Sequence, residues 1–169
     1  MSNREKTILD TLIDTRLCLL NKIQDDSTIP NQHIRNRTRI ANQITKKWQE
    51  KIREKLDLVE EEVISGKNEK IDLVDFKKHT AYELKVSGKN CHHEFYKDLI
   101  KVITYNLKKE ENEKIKKLIF ISEDFGIVKL NNRLDKNLRE EMKCKHDIII
   151  ELIAIETTFK NQCDTFWRC

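Results

Sequence analysis

Glycine and proline are scarce in this chain, with three and one among 169 residues. That excludes collagen-like and low-complexity architectures and leaves little room for a loop-rich fold. No apolar run approaches the roughly 18 residues that a membrane span needs. The opening Met1-Ser2-Asn3-Arg4-Glu5-Lys6 leads into an amphipathic pattern rather than a secretory leader, so no membrane partner is expected. Cysteine is present but not paired by spacing: Cys18, Cys91, Cys144, Cys163 and Cys169 are an odd number, read as reduced thiols in the cytoplasm. An excess of one charge is also lacking. Thirty-three Lys and Arg stand against 29 Asp and Glu, and the net charge of +4 is compatible with nucleic acid without requiring it.

What the chain has is charge on an ordinary apolar content: 37% charged and 38% hydrophobic residues. At this length that reads as one domain, 1–169, large enough to bury a core. Ile8, Leu9, Leu12, Ile13, Leu17, Leu20 and Ile23 recur at helical spacing and predict a helix over 5–24. Asp25 to Asn31, holding the only proline, is a break. A second helix is predicted over 36–58 on the stripe Ile40, Ile44, Trp48, Ile52 and Leu56, then a strand over Val59–Ser65. After a hairpin over 70–88 come a helix over 90–109, a buried strand at Leu118–Ile121, a charged helix over 131–143 and a strand over Asp147–Glu156. The Lys-rich run 108–117 reads as a solvated helix end. The expected fold is α/β, a mixed central sheet flanked by helices with an N-terminal helical extension.

The hairpin carries the chemistry. Two short apolar runs, Ile71–Phe76 and Ala81–Val86, flank the polar turn Lys77-Lys78-His79-Thr80. Asp72 lies on the first run and is followed eleven residues later by Glu83-Leu84-Lys85 on the second. Side chains alternate along a strand, so Glu83 and Lys85 share a face. Two carboxylates converging from neighbouring strands offer a hard cation the oxygen ligands it prefers, and a lysine beside them can orient or help deprotonate an attacking water. Asp75 falls on the opposite face of a regular strand and is the weaker candidate. The plain alternative is that these charges form a solvated hairpin face with a modest cross-strand contribution.

This arrangement resembles the PD-(D/E)xK nuclease superfamily, which includes many type II restriction endonucleases. Asp72 matches the first acid, Glu83 the second and Lys85 the lysine, while Ile71 stands where the family's proline would be. The resemblance covers roughly 40–125 and implies a restriction-endonuclease-like core there, with 1–39 as a helical extension for DNA contact or dimerisation and 126–169 completing the sheet. It implies Mg²⁺, replaceable by Mn²⁺, held by Asp72, Glu83 and the backbone carbonyl of Leu84, with Lys85 acting on the water and 5′-phosphate ends produced. A further acid often comes from the helix before the sheet; Glu50 and Glu54 are candidates, as are Glu60, Glu61 and Glu62. No organic cofactor is implied.

Outside the core, Arg35, Arg37 and Arg39 alternate with short polar residues, the types that hold phosphates or read guanine edges. Lys89, in the polar loop after the motif, is a further candidate for a DNA phosphate. Cys91, His92 and His93 suggest zinc only at first sight, because consecutive residues do not easily face one ion. The apolar tail Thr165–Cys169 suggests packing against the domain or a second subunit. The expectation is a Mg²⁺-dependent, site-specific endonuclease acting on double-stranded DNA as a homodimer. A structure-specific nuclease such as a Holliday-junction resolvase, and a non-catalytic α/β module that binds nucleic acid or protein, are the competing readings.

Overall fold

A computed structural model of the chain describes residues 2–25, 34–56, 59–65 and 69–155, with the backbone alone at 20–25, 34–39 and 59–65. The chain divides into two compact units, Met1–Asp57 and Leu58–Cys169. Of the expected break at Asp25–Asn31, Asp25 ends the first helix and residues 26–31 lie outside the described residues, as do Cys163, Cys169 and the apolar tail.

The first unit holds two helices, α1 (Asn3–Asp25) and α2 (Ile34–Lys55). Their apolar stripes, Ile8 and Leu12 on one and Ile44, Trp48 and Ile52 on the other, are buried. The Trp48 indole N–H donates to the Ile8 carbonyl at 3.0 Å, so the largest buried side chain also finds the polar partner it needs. Helix α2, expected to open a core running from residue 40, belongs to this unit.

The second unit is an α/β layer structure. Its strands are β1 (Val59–Ser65), β2 (Glu69–Asp75), β3 (Thr80–Lys85), β4 (Lys117–Glu123) and β5 (Ile149–Ile155). They form one mixed five-stranded sheet in sequence order. The pairs β1/β2 and β2/β3 are antiparallel, while β3/β4 and β4/β5 are parallel. Parallel neighbours need crossovers, and helices supply them: α3 (Cys91–Asn106) between β3 and β4, then α4 (Asp124–Arg133) and α5 (Lys136–His146) before β5.

The register explains the core. Val74 pairs with Ala81, Ala81 with Leu118 and Leu118 with Ile150, so these four share one sheet face. They join Phe95, Leu99 and Val102 of α3, Ile127 and Leu130 of α4, and Met142 of α5 in a single buried cluster. Phe95 meets Phe120 edge to face, with centroids 5.6 Å apart. On the reverse face Leu73, Tyr82, Ile119 and Ile121 are buried as well, which accounts for the unbroken apolar run in β4.

Two expectations are corrected. The helix predicted over 131–143 is two helices: Leu134 turns inward and is buried, and the Asp135 carboxylate accepts the Asn137 N–H at 2.8 Å, starting α5 afresh. The run 108–117 is not a helix end. Helix α3 stops at Asn106, whose side-chain amide bonds both the N–H and the carbonyl of Ile115 at 2.8 Å, and Lys117 already belongs to β4.

Candidate active site

The register of β2 and β3 brings the two motif acids together. Leu73 pairs with Tyr82 and Val74 with Ala81, so one further step sets Asp72 opposite Glu83. Directly opposed residues share a face, and a slip of one residue would send the pair to opposite sides of the sheet. The face they share is the one covered by α3. Asp72 Oδ2 reaches across to β3 and accepts the Leu84 N–H at 2.9 Å. That fixes the Asp72 carboxylate against the motif strand through the Leu84 N–H.

Glu83 is buried rather than solvated, which rules out an exposed hairpin face for this acid. Two residues of α3, absent from the expected site, surround it. The Lys101 ammonium lies 3.2 Å from Glu83 Oε1 and 2.7 Å from Asp98 Oδ1; the three side chains are 13%, 3% and 9% exposed. Helical spacing explains how both reach inward: Asp98 and Lys101 adjoin the stripe Phe95, Leu99, Val102 that anchors α3 in the core. Charges at positions where the apolar stripe continues were the available sequence signal for this cluster.

The electrostatics follow from burial. Loss of water, then the negative charges of Asp72 and Asp98, lift Glu83 well above the ordinary carboxylate range against the opposing pull of Lys101. Burial lifts Asp98 too, with Lys101 again opposing. For Lys101 burial works the other way, but Glu83 and Asp98 together outweigh it and raise its pKa above the usual lysine value.

Lys85 shares the face of Glu83, as expected, but stands at its solvent side. Its ammonium is 3.6 Å from Glu94 Oε1, and both side chains are 30% exposed. Its carbonyl accepts the Ser122 hydroxyl at 2.8 Å; Ser122 Oγ in turn lies 3.1 Å from Cys91 Sγ. Burial pushes the Cys91 thiol up, which suits a packing role more than a reactive one. The loop after β3 is held tightly: a Cβ on Gly126 would come within 2.7 Å of Gly88 Cα, and the Gly88 N–H donates to Glu123 Oε2 at 3.3 Å.

The remaining expected residues are placed as follows. Asp75 is buried and caps the 3-10 turn Phe76–Lys78, accepting the Lys78 N–H at 3.2 Å. Lys89 is exposed in the loop before α3. Glu50 and Glu54 lie on α2 in the first unit. Arg35, Arg37 and Arg39 fall in the opening turns of α2, and their side chains, like those of Glu60, Glu61 and Glu62 on β1, lie outside the described residues.

Among the described residues, no group of three or more His, Cys, Asp or Glu is arranged to hold a metal ion, and no helix is long and apolar enough to cross a membrane. The donor set nevertheless fits Mg²⁺, which uses one or two carboxylates and keeps waters for the rest. Asp72 and Glu83 are two such carboxylates, close enough that the Asp72 charge raises the proton affinity of Glu83, and a cation is already stable on Glu83 in the form of the Lys101 ammonium. Compared with family models, curated proteins and solved structures, the chain matches none of them.

Proposed function

We propose that this chain is a Mg²⁺-dependent endonuclease that hydrolyses phosphodiester bonds in double-stranded DNA, in the manner of a small type II restriction enzyme. The observation that carries the reading is the facing of Asp72 and Glu83 on neighbouring strands, with Lys85 two residues further along the same face. The strand order supports it. An antiparallel three-strand meander, a helix and then a parallel strand are compatible with a restriction-endonuclease-like core.

In this reading Asp72 and Glu83 would hold Mg²⁺, with the Leu84 carbonyl as a further oxygen. When bound, Mg²⁺ neutralises charge developing on the scissile phosphate and favours ionisation of water near neutral pH. The Leu84 N–H holds Asp72 in place for that role. Lys85, tethered by Glu94 at the open side of the site, orients the attacking water. In-line attack with departure of the 3′-oxygen leaves a 5′-phosphate. Arg35, Arg37, Arg39 and Lys89 are assigned to DNA phosphates and base edges, and a homodimer supplies one site for each strand.

The test is incubation of the purified protein with supercoiled plasmid and phage DNA, in Mg²⁺ and in EDTA. Discrete Mg²⁺-dependent fragments, lost in Asp72→Asn and Lys85→Ala, are expected. Cleavage of a four-way junction in place of duplex would move the assignment to a resolvase. Folded protein that cuts neither substrate would leave a non-catalytic module.

A further inference from the structure

Lys101 is not part of the hairpin motif, yet its ammonium occupies the Glu83 carboxylate that the nuclease reading gives to a metal. The backbone beneath it is fixed, because Phe95, Leu99 and Val102 of α3 are locked in the core. Its own side chain is a flexible four-carbon stem. Lys101 also lines an open cavity of about 480 Å³ together with Tyr96, Lys97, Ile100 and Thr104. The ammonium therefore has a solvated direction in which to move without any shift of the helix.

We propose that Lys101 is a resident counter-cation of the site, which a divalent ion displaces from Glu83, and that Asp98 retains the ammonium after it leaves. The inference rests on the nuclease reading, because that reading is what brings a divalent ion to Glu83. An ammonium and a divalent ion on one buried carboxylate repel strongly at such short range in a weakly polar surrounding. They exchange rather than share. Asp98 is suited to keep the ammonium: it is the nearer partner at 2.7 Å and lies three residues away on the same helix. Charge count favours the exchange. Asp72, Glu83 and Asp98 carry three negative charges in their ionised forms against one ammonium, and a divalent ion makes the sum even. Lys101 is a positioning residue in this scheme, since it acts through Glu83 and touches no substrate.

The experiment measures Mn²⁺ binding to the full chain by the electron spin resonance of the free ion. Glu83→Gln should lose binding. Lys101→Met should bind Mn²⁺ at least about tenfold more tightly than the unmodified chain, because the competing charge is gone. Lys101→Arg, which keeps the charge, should return affinity to near its original value. In the unmodified chain, the Lys101 Nζ resonance, identified by its loss in Lys101→Arg, should shift as Mg²⁺ saturates the site. That measurement decides the matter even if Lys101→Met fails to fold. Mn²⁺ binding that Lys101→Met leaves unchanged or weakens, with an unmoved Lys101 resonance, would overturn the exchange while leaving the nuclease reading intact. Absence of Mn²⁺ binding in both chains would overturn both.

Discussion

Two lysines, one on β3 and one on α3, meet carboxylates in opposite surroundings. Lys85 faces Glu94 across 3.6 Å at the solvent edge, while Lys101 is clasped by Glu83 and Asp98 in the interior. The chemical pairing is the same, but the consequence differs. An exposed pair is screened by water and contributes little. A buried cluster is expensive to assemble and more expensive to break, because removing one member strands the others without solvent. On the nuclease reading Lys85 can therefore serve a substrate without endangering the fold, whereas Lys101 is tied to the interior through Glu83 and Asp98 together.

The largest test of this contrast is Lys101→Met at neutral pH. It should cost about 3–5 kcal/mol of stability by leaving Glu83 and Asp98 uncompensated, read as a lowered urea midpoint. Part of the loss should return as the pH is lowered and the stranded acids take up protons. By contrast, Lys85→Ala should change stability by less than about 1 kcal/mol and, on the nuclease reading, reduce cleavage by about a hundredfold or more. A fall in stability comparable to that of Lys101→Met would erase the distinction.

A finer test uses pH. Glu83 and Asp98 bind protons more tightly in the folded chain than at their ordinary values of 4.5 and 3.8. The folded chain therefore holds more protons than the unfolded chain above those values. Their contribution is fully present at the acid end and is lost as pH rises through the raised values. Lys101, shifted upward, adds stability that is lost only above the ordinary lysine value of 10.5. The urea midpoint of the unmodified chain minus that of Glu83→Gln should accordingly fall as the pH rises from about 5; a flat difference would contradict the burial of Glu83. Smallest of all, Glu94→Gln should change stability by less than about 1 kcal/mol, measured the same way.

Much of the second unit was legible from the chain. Alternation in Ile71–Phe76 and Ala81–Val86 placed the hairpin, and the eleven-residue spacing brought Asp72 and Glu83 face to face. The strand Val59–Ser65 was readable from the turn residues Ser65-Gly66-Lys67-Asn68 that close it, and the interior course of Leu118–Ile121 from its unbroken apolar run. Helix α4 was not, because Gly126 in its first turn disguises the stripe Ile127, Leu130, Leu134 as loop. Asp98 and Lys101 escaped notice for a physical reason. A charged residue beside an apolar stripe reads as solvated until a partner in another strand is known, and pairing between β3 and α3 is written in three dimensions rather than in spacing. The same holds for Asp75, whose cap on the turn depends on a local bend that periodicity does not encode.

Two of the three glycines in this chain, Gly88 and Gly126, meet at a single point, where any side chain on Gly126 would strike Cys91 or the backbone of Gly88. The two main chains therefore pass in direct contact, with the Phe125 ring over Gly88 and the Cys91 thiol over Gly126. So close a contact leaves little room to change the length of the Ser87–Asn90 loop. Changes in loop length would then fall elsewhere on the molecule, while this corner stays the same.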